Sequence, residues 1–439
     1  MDRKDKYILA RWAVEHAVKN GASEARVIIN DSRNNTVSVR QEKIENLEQS
    51  IESGMTIFLF VNRKYSVHST NRMDKKEELQ NFIEEAIKAT GYLAEDEYRS
   101  LPDPDLYYKG GGPDLKTFDD KFSSVDPGER IDTAFAIEKE ALGKDERVIS
   151  VTGAYGDGMS SAVMVSSNGF EGDRAVTFYS VTASVSVKQG DARPGESWYE
   201  SSIFYDRLKK EGTGKTAMEK ALKKLGQEKI HSVTMPMIID KRLAGHILSP
   251  LIRSLRGSAI QQKNSFMTDM LGERVGSEKL HLTDDPFIIS GHGSRLFDNE
   301  GLALKKRNIF EKGVLKEYYI DTYYGRKLGM QPNSGSTSNL VLQGGDKSQE
   351  EMIASLDNAV LVSGFNGGNA NDSTGDFSYG IEGFLIKGGE IVKPVGEMNI
   401  TGNLLQLFKD LAETGNDVYE DSAWRTPSLL FDNVNFSGK

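Results

Sequence analysis

Cysteine is absent from the 439 residues. Its absence excludes disulfides, thiolate nucleophiles and thiolate metal ligands, and it accords with a reducing compartment. Any metal would have to be held by histidine and carboxylate side chains. Histidine itself is scarce. There are six, His16, His68, His231, His246, His281 and His292, and none sits in an H-E-x-x-H pattern that would set two imidazoles on one helix face. No apolar run approaches the roughly 18 residues of a membrane-spanning helix, and MDRKDKYILARWAVEH at the N-terminus lacks the apolar stretch of a signal peptide. The expectation is a soluble, cytoplasmic chain with no membrane attachment. Long basic runs are also missing. The 55 Lys and Arg residues face 65 Asp and Glu, a formal net charge of -10, which repels a phosphate backbone and argues against direct nucleic-acid binding.

What is present is ample core material. Hydrophobic residues make up 38% of the chain and charged residues 27%, the balance of a folded protein, and the length suggests two or three domains at about 150 residues each. Apolar spacing near three and four from Lys6 to Val18 predicts an opening helix stopped by Asn20 and Gly21. ARVIIN, NTVSVRQEKIENLEQSIESG and GMTIFLFVNRKYSVHST then alternate as antiparallel strands do. A second helix follows in DKKEELQNFIEEAIKATGYL, and the Pro and Gly of LPDPDLYYKGGGPDLK mark a boundary near Gly112. From 113 to 229 the pattern recurs: a helix in PGERIDTAFAIEKEALGKD, an antiparallel set through Gln189, and a helix in RLKKEGTGKTAMEKALKKLGQEKI. Beyond Ile230 short strands dominate. The exceptions are one prominent helix at the entrance, KRLAGHILSPLIRSLRG (Lys241 to Gly257), and a helical return in LLQLFKDLAETG. The fold class expected is α+β, with domains at 1–112, 113–229 and 230–439, the last β-rich.

Few motifs carry chemistry on their own. EGTGKTA, Glu211 to Ala217, resembles the end of a phosphate-binding loop but has Lys209 where that loop needs glycine, so a turn into a helix starting near Thr216 is the better reading. His281 and His292 flank Asp284 and Asp285 and would form a ligand set if their loop folded back. Asp298 and Glu300 in LFDNEG are either an acid/base pair or turn residues capping the backbone. No G-x-S-x-G elbow and no assignable Ser/His/Asp triad is present. The run SGFNGGNANDSTGDFSYGIEGFLIKGGEI, with eight glycines, suits tight hairpins or a wall along which an extended peptide lies.

The stretches RGSAIQQKNSF, RLFDNEGLALKKRNIFEKGVLKEYYIDTYYGRKLG, TGDFSYGIEGFLIKGGEIVKPVGEMNITGNL and TPSLLFDNVNFSG together resemble the TldD/PmbA family. That family was once described as modulators of DNA gyrase and is understood as two-subunit metallopeptidases acting on unfolded peptides. The resemblance implies that a catalytic TldD-type chain carries H-E-x-x-G-H on the entrance helix, with two zinc ligands, a glutamate base and a cysteine as third ligand. Here KRLAGH sets Lys241 at the first ligand position, Arg242 at the base and His246 alone at a ligand position. This chain is therefore expected to be the TldE/PmbA-type subunit, with no catalytic residue and no cofactor of its own. Zinc is expected in a TldD-type partner, the substrate is an unfolded peptide, and Phe377, Tyr379, Gly380 and Gly383 are expected to line the shared chamber. Two alternatives stand beside it: a peptide-binding homodimer without a catalytic partner, and a nonstandard metallohydrolase built on His246, His281 or His292.

Overall fold

The computed structural model describes residues 1–439. It is an α+β protein whose sheets are antiparallel apart from two parallel pairs, 237–239 beside 360–362 and 340–341 beside 424–425, with a β-rich C-terminal region. Six strands build the first sheet: β1 (Glu24–Arg40), β2 (Lys43–Val61), β3 (Lys64–Thr70), β4 (Val148–Ser166), β5 (Glu171–Val187) and β6 (Gly195–Ser202), in the order β3-β2-β1-β4-β5-β6. The segments on either side of Gly112 thus meet in one sheet, because β1 and β4 pair antiparallel from Arg26↔Ser166 to Arg40↔Thr152. Four helices cover one face. α1 (Arg3–Lys19) and α2 (Lys76–Thr90) pack over Ile29, Met55 and Ile57, while α3 (Pro127–Lys139) and α4 (Thr213–Lys223) pack over Val37, Tyr155 and Val181.

Two helix starts differ from the sequence expectation, and each has a local cause. α1 begins at Arg3 rather than Lys6, because the Asp2 carboxylate accepts the Asp5 amide and caps the first turn. α4 begins at Thr213 rather than near Thr216. Gly212 adopts φ 85°, and the Glu140 carboxylate accepts the amides of Gly212 and Gly214, both at 2.7 Å. The amides that would have cradled a phosphate are held by a carboxylate of the neighbouring helix.

The C-terminal region adds β7 (Val233–Ile239), α5 (Ala244–Ser254), β8 (Leu282–Asp284), β9 (Arg307–Glu311), β10 (Val314–Leu315), β11 (Leu340–Leu342), β12 (Asn358–Ala370), β13 (Asp376–Lys387), β14 (Glu390–Asn403), β15 (Leu411–Thr414), β16 (Trp424–Arg425) and β17 (Leu429–Ser437). One sheet runs β14-β13-β12-β7-β17-β15, and β14 also pairs with β17, so five strands close on themselves. Its core holds Met237, Ile239, Val362, Ile381, Ile400 and Phe431 against Ile247, Leu248 and Leu251 of α5. The helix expected through LLQLFKDLAETG stops at Lys409, because Leu411–Thr414 pairs with β17 as a strand. Short helices at Gly257–Gln261, Thr322–Leu328 and Gln349–Ala354 are too brief for apolar periodicity to reveal. No helix is long and apolar enough to cross a membrane.

Polar clamps join the two regions. Arg326 donates to the carbonyls of Tyr98, Ser100 and Leu101, and the Tyr323 hydroxyl donates to Asp96 at 2.6 Å. Lys224, buried at the end of α4, pairs with Glu196 at 2.7 Å and with Glu382 of β13. A third clamp lies at the entrance to α5.

Candidate functional site

α5 follows β7 through a turn that the Asp240 carboxylate organises by accepting the Arg242 amide at 2.9 Å. Lys241 and Arg242 lie in that turn, ahead of the first regular helical residue, Ala244. The three polar positions of KRLAGH therefore leave the backbone in different directions. The Lys241 amine approaches Asp417 at 3.8 Å, and its carbonyl accepts the Thr426 hydroxyl.

Arg242 crosses to the first sheet. Its guanidinium pairs with Glu200 at 3.0 Å, donates to the Tyr199 carbonyl at 2.8 Å, and lies over the rings of Trp198 (3.8 Å) and Tyr419 (4.4 Å). Both partners of the ion pair are largely buried, at 12% and 14% side-chain exposure. Glu200 Oε1, which takes the guanidinium, also accepts the Trp198 indole N–H at 2.8 Å, so one carboxylate oxygen receives both donors. These contacts were not visible in the sequence. Trp198, Tyr199 and Glu200 stand about forty residues upstream, and nothing in their spacing marks them as partners of Arg242.

His246 leaves the helix on its exposed side. Its ring stacks on Phe365 (centroids 4.3 Å apart, planes 15° apart) and meets Tyr379 edge-on at 4.9 Å. Burial, and then the positive charge of Arg253, hold its pKa below the usual histidine value. Arg253 is itself held by a two-toothed contact with Asp372, at 2.9 and 3.2 Å.

The four candidate chamber residues do not share a face. Phe377, Tyr379 and Gly383 point to the buried side of β13, with Phe377 stacked on Tyr379, while Gly380 points the other way. The glycines answer to close backbone approach: a Cβ would stand 2.6 Å from the Asn366 carbonyl at Gly380 and 2.0 Å from the Leu361 carbonyl at Gly383, where the β12–β13 register shifts. Beyond Val362, β12 pairs only with β13. The ladder to β7 ends there, so the strand's other edge is open from Gly364 to Ala370, beside Phe365 and His246.

The structure does not assemble the other candidate ligand set. Asp284 is buried against Arg307 (3.3 Å) and the Ser338 amide (2.8 Å); Asp285 pairs with Lys306 and caps the Phe287 amide; His292 is exposed on a separate loop. No three His, Asp or Glu side chains come together in a geometry that could hold a metal ion. The conditional ligand set of His281, His292, Asp284 and Asp285 is thus not formed: a buried ion pair has taken one carboxylate and a turn the other. Asp298 and Glu300 are turn residues, since Asp298 accepts the Glu300 and Leu302 amides and Glu300 accepts the Thr322 amide and hydroxyl.

A hydrolytic zinc needs three ligand side chains, an open position for water and a carboxylate to take its proton. The KRLAGH segment offers one imidazole beside an amine and a guanidinium, with no carboxylate of its own, and these residues do not fit the ion.

Family models for the PmbA/TldA metallopeptidase match domain 1 over residues 25–90, the central domain over 120–225 and the C-terminal domain over 232–438. A metalloprotease PmbA homologue of Haemophilus influenzae is 29% identical, across 97% of this chain and 95% of its own. A crystal structure from Bacteroides thetaiotaomicron, described as a candidate modulator of DNA gyrase, superposes with a TM-score of 0.98 at 48% identity over the full length of both chains. The crystal structure of TldE from Thermococcus kodakarensis superposes at 0.86 with 21% identity, covering 98% of this chain and all of that one, a likeness of fold.

Proposed function

The chain belongs to the PmbA/TldD family of metallopeptidases, and from that premise we propose that it is a subunit without its own zinc, acting beside a TldD-type catalytic chain. The observation that carries this reading is Arg242. At the position of the family's general base stands a guanidinium committed to Glu200, Tyr199 and Trp198, while Lys241 turns to Asp417 and His246 to Phe365. The helix start has become a structural joint between the two regions.

In this role the subunit closes a chamber over the partner's zinc and admits unfolded peptides in the cytoplasm. The open edge of β12 beside Phe365, His246 and Tyr379 supports that part of the reading, because an extended peptide adds to such an edge through backbone hydrogen bonds. The test is elemental mass spectrometry and peptidase assay of the purified chain, alone and mixed with a TldD-type partner. Zinc and hydrolysis only in the mixture are expected. One zinc per isolated chain, with hydrolysis, overturns the proposal.

A second reading, a peptide-binding homodimer, draws on another edge. β3 pairs only with Met55–Val61 of β2, so Lys43–Gly54 is an unpaired strand edge with Leu47 and Ile51 exposed, at 62% and 65%. Co-purification from native extract separates the two: a stable TldD-type partner favours the first reading, self-association without one the second.

A further inference from the structure

At the junction of the two regions, away from α5, lies a cavity of about 440 Å³. Its walls are the strap Pro113–Thr117, residues Asp173–Val176 of β5 and the loop His292–Phe297. The strap is fastened to both sides: the Thr117 hydroxyl donates to the Ala175 carbonyl at 2.9 Å, and the Ser290 amide donates to the Leu115 carbonyl at 2.7 Å. Lys116 holds a left-handed φ of 48°, with its amide bound by the Asp114 carboxylate at 3.0 Å. A lysine in that conformation is strained and has to be held by its surroundings.

Three cationic side chains line this space, and none has a carboxylate partner. Arg174 and Lys116 are exposed residues of this lining, and no carboxylate lies within ion-pair distance of either. Asp173 alternates to the opposite face of β5, where it takes Arg3 at 2.7 Å and Tyr7 at 2.8 Å. Arg295 spends one nitrogen on the Ser336 hydroxyl and the Thr337 carbonyl, which leaves its buried Nε–H without an acceptor. The nearby acids are spent elsewhere: Asp284 on Arg307 and Ser338, and Asp298 on two backbone amides. Desolvation lowers the pKa of both guanidiniums; the charge of Asp298 opposes it at Arg174, and at Arg295 the charges of Asp284 and Asp298 oppose it while those of Arg174 and Arg307 add to it.

We propose that this cavity binds a compact oxyanion, the phosphate or carboxylate group of a small molecule. Its volume falls within the range of about 300–1,000 Å³ usual for small-molecule sites. Guanidinium forks match the paired oxygens of phosphates and carboxylates. An anion there pairs with the Arg174 guanidinium, which has no ion-pair partner, and relieves the repulsion between Arg174 and Arg295.

The test is isothermal titration of the full chain with inorganic pyrophosphate and, separately, with citrate, against sodium chloride of matched ionic strength. The variants are Arg174→Gln, Arg295→Gln and, as a control distant from the cavity, Arg193→Gln. Arg174 makes no internal bond, so its replacement leaves the fold intact and keeps the result readable if Arg295→Gln destabilises its loop. Saturable binding is expected, about tenfold or more weaker in Arg174→Gln, as loss of one charge-assisted contact requires, and unchanged in Arg193→Gln. Preference for pyrophosphate assigns the site to phosphates, and preference for citrate to carboxylates. No saturable heat with either, or equal affinity in Arg174→Gln and the unaltered chain, overturns the proposal.

Discussion

If Arg242 is a joint, removing it should loosen the molecule. Arg242→Ala breaks an ion pair whose two side chains are 12% and 14% exposed, removes a donor from the Tyr199 carbonyl and uncovers the faces of Trp198 and Tyr419. Breaking a buried pair costs about 3–5 kcal/mol when the remaining charge is stranded. Here Glu200 keeps the Trp198 N–H, which puts the loss at the low end, about 3 kcal/mol. The cation–π contacts belong to the same guanidinium and do not add in full. Glu200→Gln leaves a neutral acceptor, so Arg242→Ala should cost less in that background, with a coupling of about 1.5–3 kcal/mol. Urea unfolding followed by tryptophan fluorescence reads this directly, because Trp198 lies under the guanidinium. A loss below about 1 kcal/mol, the size of an ordinary surface pair, would refute the idea that the family's base position has become a structural joint.

Restoring the motif should not restore the metal. Lys241→His with Arg242→Glu supplies the missing residue types in a turn ahead of α5 and without a cysteine. Elemental analysis is therefore expected to find no stoichiometric zinc, and tight binding would show that the turn can refold into a ligand set. A buried pair near the N-terminus gives a pH-dependent expectation. Lys6, 4% exposed at its side chain, pairs with Asp31 at 2.7 Å. Burial of Asp31 opposes ionisation, yet hydrogen bonds from Lys6 and Ser53 outweigh it and lower its pKa. The stability this carboxylate contributes is therefore present above its unfolded pKa, near 3.9, and is lost as pH falls through the lower folded value. Asp31→Asn should remove that acid-side dependence and cost about 3–5 kcal/mol at neutral pH by stranding Lys6; thermal melts from pH 2 to 7 check both. At Gly383, where a Cβ would stand 2.0 Å from the Leu361 carbonyl, alanine forces β12 and β13 apart. Gly383→Ala should lower the melting temperature measurably, whereas Gly367→Ser, with nothing within 4 Å at φ 84°, should cost only the local strain of about 1–2 kcal/mol.

How much of this was legible in the sequence depends on the range over which each feature is decided. Strand alternation and helix spacing are local, so the α+β class and most elements could be read from them. The sheet joining the first two segments depends on β1 meeting β4, more than a hundred residues later, and no local pattern states which edges meet. The glycine-rich run was readable as unusual, but not the close backbone approach at Gly380 and Gly383, because that follows from the irregular β12–β13 register. The departure of KRLAGH from H-E-x-x-G-H was readable, since Lys241 and Arg242 are visible wherever the segment is quoted. Their new employment was not, because Trp198, Glu200 and Asp417 reach them only through the tertiary fold. A chain that lacks catalytic chemistry at a position need not leave it idle. A cation placed among Trp198, Tyr419 and Glu200 finds two ring faces and a carboxylate in a partly dry joint, and a glutamate at 242 would face Glu200 there with like charge. On the proposed reading, the substitution that would take the base position out of hydrolysis is also the one this joint requires.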